Sequence, residues 1–101
     1  MQLPKKVRHQ VIAAVERTDE LRRGTAALDP RWLDCIGRVL AQTPRQDMRD
    51  FFEQYFVQSA SYDDILFNLY IERSTLYNWR DYFLWNIALE AAEAGLLHLS
   101  A

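Results

Sequence analysis

The sequence predicts an all-α fold of about five helices, with a helix-turn-helix in the C-terminal half and a long final helix. Three observations carry that expectation. Apolar residues recur at three- and four-residue spacing along most of the chain. No segment alternates with period two. Only three glycines and three prolines are available to build irregular loops. A chain of 101 residues, half of them hydrophobic, is one domain's worth. Residues 1–42 would supply its N-terminal helices and residues 43–97 the helix-turn-helix core.

The first segment, from about Leu3 to Arg23, reads as one helix. Val7, Val11, Ala14, Thr18 and Leu21 follow a 4-3-4-3 spacing that places them on one stripe. Arg22 and Arg23 suit the negative end of that helix, and Gly24 suits its C-cap. Asp29-Pro30 opens the second helix, the carboxylate taking free N–H groups and the ring fitting the first helical position. Its apolar face is Trp32, Leu33, Ile36, Val39 and Leu40. Thr43-Pro44-Arg45-Gln46 has the form of a capping box and opens a third helix buried through Met48, Phe51, Phe52, Tyr55 and Phe56. Ser59-Ala60-Ser61 ends it. Ser61 caps a short fourth helix, about Tyr62 to Leu69, with Ile65, Leu66 and Leu69 facing inward. A tight connection, Tyr70-Ile71-Glu72, leads into a fifth helix from about Arg73 to Ala94, closed by Gly95. At 1.5 Å per residue it is about 33 Å long.

Composition removes several classes of function. The single cysteine, Cys35, can neither staple the fold nor pair in a metal motif, and it reads as a small buried residue of a cytoplasmic protein. No apolar run is long enough for a membrane span, and none follows the basic N-terminus as a signal peptide would require. There is no nucleophile–base pattern, phosphate loop or metal spacing, so no enzyme, cofactor or metal is expected. Asp63-Asp64 is not a metal pair, because neighbours on a helix point about 100° apart; acidic residues there stabilise a helix N-terminus. His9 and His98 have no partner motif and read as solvated. Charge divides unevenly. Residues 1–50 hold ten Lys/Arg against seven Asp/Glu, a net +3, and residues 51–101 hold two against seven, a net −5.

Function resides in the short helix, tight turn and longer helix of the second half. Ile71 would plug the angle between the two helices, and Leu76, Trp79 and Phe83 would continue that inner face. The opposite face opens with Arg73, Ser74, Tyr77 and Asn78, groups able to reach base edges or phosphates when a helix N-terminus enters the major groove. Twelve of the thirteen aromatics lie in residues 51–101. Phe51, Phe52, Phe56, Phe67, Trp79 and Phe83 recur at helical spacing and read as core rather than as a base-stacking surface; Tyr77 alone falls on the polar face. Lys5, Lys6 and Arg8 read either as a phosphate grip or as a solvated basic terminus.

Three stretches also carry a resemblance: Phe51-Phe52-Glu53-Gln54-Tyr55-Phe56, then Tyr62-Asp63-Asp64-Ile65, then Tyr70 through Arg80. Together with the Ala- and Leu-rich tail Ile87-Ala88-Leu89-Glu90-Ala91-Ala92, they resemble the last DNA-binding region of bacterial sigma factors. They are similar, more closely, to small phage-encoded late transcription regulators of the ArpU/RinA type. The resemblance covers about half of the chain. It implies transcription control on phage or prophage DNA, with Arg73, Ser74, Tyr77 and Asn78 on the base-reading side and Thr75 and Arg80 toward phosphates.

Two functions from different classes follow. One is a DNA-binding transcription regulator acting on double-stranded DNA. The other is a helical protein-interaction module, such as a small terminase subunit or an adaptor that contacts RNA polymerase, which the acidic second half favours. A second apolar stripe on the fifth helix, Tyr82, Trp85, Leu89, Ala92 and Leu96, needs a partner. Either the first helix or a second copy of the chain, in a homodimer, would supply it.

Overall fold

The computed structural model describes residues 3–97; His98, expected to be solvated, lies outside the described residues. Six helices follow one another: α1 (Lys5–Val15), α2 (Thr18–Arg23), α3 (Arg31–Gln42), α4 (Gln46–Phe52), α5 (Tyr62–Leu69) and α6 (Arg73–Glu93). A π-helical turn, Glu53–Val57, continues α4. Among the described residues there is no strand.

The expected first helix is two. Thr18 Oγ1 donates 2.6 Å to the carbonyl of Val15, which the next turn of an unbroken helix would have claimed. Arg17 leaves helical geometry and α2 starts afresh. The kink does not disturb the stripe: Val7, Val11, Ala14, Thr18 and Leu21 are all buried. A second correction concerns Thr43. It is not the capping residue of α4. Its hydroxyl donates 2.7 Å to the carbonyl of Val39 and, with that hydrogen spent, accepts 3.0 Å from Tyr82. Thr43 is fully buried and belongs to the end of α3, and α4 begins at Gln46 without a side-chain cap.

The remaining boundaries follow the local chemistry. Asp29 Oδ1 accepts the Arg31 N–H at 3.0 Å at the start of α3. Ser61 Oγ accepts the Asp64 N–H at 3.2 Å at the start of α5. Gly95, at φ 78°, closes α6 with paired bonds from its own N–H to Ala92 and from the Leu96 N–H to Ala91, a Schellman ending. The end of α6 receives a further donor: Arg31, held by Asp29 at 2.8 Å, reaches the Ala94 carbonyl at 2.9 Å. A cation there also suits the negative end of the helix dipole.

The long helix α6 packs most extensively on α3, then on α1 and on α4. Leu76, Trp79, Phe83, Leu84, Ile87, Ala88 and Ala91 of α6 are buried. Both flanks of α6 therefore have partners within the chain, and of the second stripe only Leu89 is exposed. At the centre Phe83 meets Phe52 at 5.2 Å, Phe51 at 6.2 Å and Phe56 at 6.4 Å between ring centroids. Phe67 is the exception among the expected core aromatics and stands 75% exposed. On α5 the inward side is set by Ile65, Leu66 and Leu69, and position 67 lies about 200° around the helix from Ile65. The two positions therefore have opposite thermodynamic weight. Phe83→Ala should cost about 3–5 kcal/mol through the cavity it leaves, and Phe67→Ala about 0.5 kcal/mol or less. Urea denaturation of the two variants measures both.

Candidate nucleic-acid interface

The turn between α5 and α6 sets the site. Tyr70 ends α5 in left-handed geometry at φ 53°, a conformation that costs a side chain with a Cβ about 1–2 kcal/mol. The Ile71 N–H then bonds back to Leu66 at 3.3 Å, and the Ile71 side chain packs on the core. This is the apolar plug the sequence requires. Glu72 takes the N-cap position of α6 but its side chain caps nothing. The first N–H groups of α6 therefore stand without a side-chain acceptor.

Beyond the turn, Arg73, Ser74, Tyr77 and Asn78 are exposed on the first two turns of α6, as their spacing predicts. Leu76 and Trp79 anchor the opposite face. Thr75 is half-buried, at the edge of that surface. Arg80 is drawn in. Its guanidinium lies 5.0 Å over the Tyr77 ring, pairs with Asp81 at 3.0 Å, and leaves its side chain 23% exposed. Burial by itself would lower the Arg80 pKa, but the hydrogen bond and charge of Asp81 raise it. Arg73 is also paired, more loosely, at 3.7 Å from Asp63 on α5. Both arginines of the second half thus have a carboxylate beside them. Exposed pairs of this kind are weak and screened by salt, so a phosphate can compete for either arginine.

Sequence reasoning missed the support of this face. Tyr77 packs edge-on to Tyr62 at 6.2 Å, Tyr62 is 5.8 Å from Tyr55, and Tyr55 stacks on Phe51 at 5.2 Å. A ladder of rings runs from the core to the exposed surface. The Tyr55 and Tyr62 hydroxyls lie 3.3 Å apart. It named Lys5 and Arg8 but missed their place beside α6. Arg8 of α1 lies 3.8 Å from Asp81, 73 positions along the chain, and no sequence signal joins them. Among the described residues no group of side chains could hold a metal ion, and no helix is long and apolar enough to cross a membrane. Comparison with protein-family models, with curated proteins and with solved structures finds no match.

Burial, and then the hydrogen bond to Tyr62, push the Tyr55 hydroxyl up to about 12. The unfolded chain releases that proton near the ordinary value of about 10. The folded state therefore holds the proton more tightly over that interval, and its stability falls as pH rises from about 10 to 12. Tyr55→Phe should flatten this fall. Chemical denaturation at a series of alkaline pH values compares the slopes.

Proposed function

We propose that the protein binds double-stranded DNA through the N-terminal face of α6 and acts as a transcription regulator, of the kind that the resemblance to ArpU/RinA-type phage proteins implies. The observation that carries the reading is the exposed set Arg73, Ser74, Tyr77 and Asn78, on the first two turns of a helix rooted in the core by Leu76, Trp79 and Phe83. A rigid helix whose N-terminal polar residues protrude is the form that enters a major groove. Arg73 pairs with the two acceptors of a guanine, and Asn78 with an adenine edge. Thr75 and Arg80 turn toward phosphates. On DNA, two copies acting as a homodimer would double the few cationic contacts and read two half-sites about one helical turn apart.

A second reading has its own observation. Phe67 and Tyr70, 75% and 90% exposed, lie 6.5 Å apart at the turn, on the element that also carries Asp63 and Asp64, with Glu72 two residues beyond. Exposed aromatics among carboxylates suit a basic, apolar protein surface rather than phosphates. An adaptor that contacts RNA polymerase, or an assembly protein such as a small terminase subunit, would use them.

Selection of bound sequences from random duplex DNA tests the first reading. Arg73→Ala should relax the preference at one base position, at a cost of about 1–3 kcal/mol to the preferred site. Arg80→Ala should weaken all sequences alike and flatten the salt dependence by about one unit of slope. Glu72→Ser should tighten binding, because it removes a carboxylate from the phosphate side and supplies the missing cap. If neither the protein nor Glu72→Ser binds duplex at about 50 mM salt, where phosphate contacts are strongest, the reading fails and the interaction module replaces it.

A further inference from the structure

A groove lies where α1, in the basic first half, meets the candidate reading helix α6. Leu3, Lys5 and Arg8 form one wall, and Arg80, Asp81, Leu84 and Trp85 the other, around an open cavity of about 470 Å³. A smaller adjoining cavity of about 220 Å³ runs past Arg8 and Arg80 toward Glu16, Tyr55 and Ser59. Three cations and one carboxylate line the larger cavity. This is a local excess of positive charge in a protein of net charge −2. The carboxylate, Asp81, stands between two of the cations, 3.8 Å from Arg8 and 3.0 Å from Arg80. A single anionic group bridging two guanidiniums occupies the place a phosphate would take.

We propose that Lys5, Arg8 and Arg80 grip a backbone phosphate of duplex DNA in this groove, and that Asp81 holds the position of that phosphate until DNA arrives. The inference rests on the DNA-binding reading and extends it to residues outside the helix-turn-helix. Its geometry follows from helix dimensions. Arg80 lies seven residues beyond Arg73, about 10 Å along the helix axis. The major groove is about 12 Å wide, so a helix that reads bases at Arg73 brings Arg80 to the groove's wall, where a phosphate strand runs. Lys5 and Arg8 stand on the outer side of that wall. The floor of Leu84 and Trp85 is apolar and suits the deoxyribose beside the phosphate. The arrangement also answers the charge problem of the second half: the cations it lacks come from α1, through tertiary structure.

The test is titration of a fluorescent mixed-sequence duplex between about 50 and 200 mM salt, with the whole chain and three variants. Each phosphate contact contributes about 0.9 to the slope of log affinity against log salt. Lys5→Ala with Arg8→Ala should therefore flatten the slope by up to about one unit without altering base preference. Asp81→Asn should tighten binding severalfold for every duplex. Lys5→Arg with Arg8→Lys should retain the slope, which separates charge from packing. If the wild-type chain binds and the alanine pair leaves its slope unchanged, the groove is not a phosphate site and the DNA reading survives. If the alanine pair does not fold, Asp81→Asn decides: unchanged or weaker binding overturns the proposal. If neither the wild-type chain nor Glu72→Ser binds any duplex, the DNA reading falls and takes the proposal with it.

Discussion

Phe83 meets the rings of Phe51, Phe52 and Phe56 at the point where α4, the π turn and α6 come together, and the candidate interface depends on that contact. A 21-residue helix with exposed polar ends has no fixed direction by itself. Fully buried aromatic rings give it one, since close-packed interiors tolerate little displacement. The edge-to-face and tilted geometries at 5.8 and 5.2 Å add orientation to simple burial. From this cluster the ladder Phe51, Tyr55, Tyr62 and Tyr77 extends to the surface. The exposed residues of α6 are therefore presented by a braced element and not by a fraying terminus.

The electrostatics has a different origin. The second half holds only Arg73 and Arg80, and folding sets a carboxylate beside each. Neither pair is buried with both partners, so neither is a strong clamp. Their effect is to keep the free surface close to neutral while leaving each arginine available to a stronger anion. A phosphate brings more acceptor oxygens than the one that each carboxylate presents to its arginine, and its binding also releases counterions. Glu72 works the other way. It occupies a position where a serine or threonine would satisfy α6 and contribute no charge, and it makes no bond in return.

Phe67 and Tyr70 stand apart from both arrangements. Tyr70 holds a left-handed backbone with most of its ring in solvent, and Phe67 lies beside it. Neither contributes to the core, and the backbone conformation carries a cost that Gly or Asn would reduce. The turn tolerates them because Ile71 and the Ser61 cap already fix the angle between α5 and α6.

The sequence by itself determined the helical class, the stripes and most of the boundaries. Stripe positions such as Val11, Ile36 and Phe83 are local facts, because helical periodicity alone chooses the buried face. The caps at Asp29, Ser61 and Gly95 are local as well, since each bonds within a few residues. So is the exposure of Arg73, Ser74, Tyr77 and Asn78, which follows once Leu76 and Trp79 point inward. Tertiary structure decided the rest. Thr43 joins the end of α3 instead of capping α4, its hydroxyl bonding Val39 and meeting that of Tyr82, 39 positions away. The break at Thr18 is a local exception, made by a bond three residues back that the stripe does not show. Phe67 stayed outside because a helix of eight residues has one inward side, already filled. Arg80 and Arg8 acquired a common carboxylate only when α1 packed on α6. A periodic pattern states which way a side chain faces along its own helix; what it meets there depends on helices brought together from distant parts of the chain.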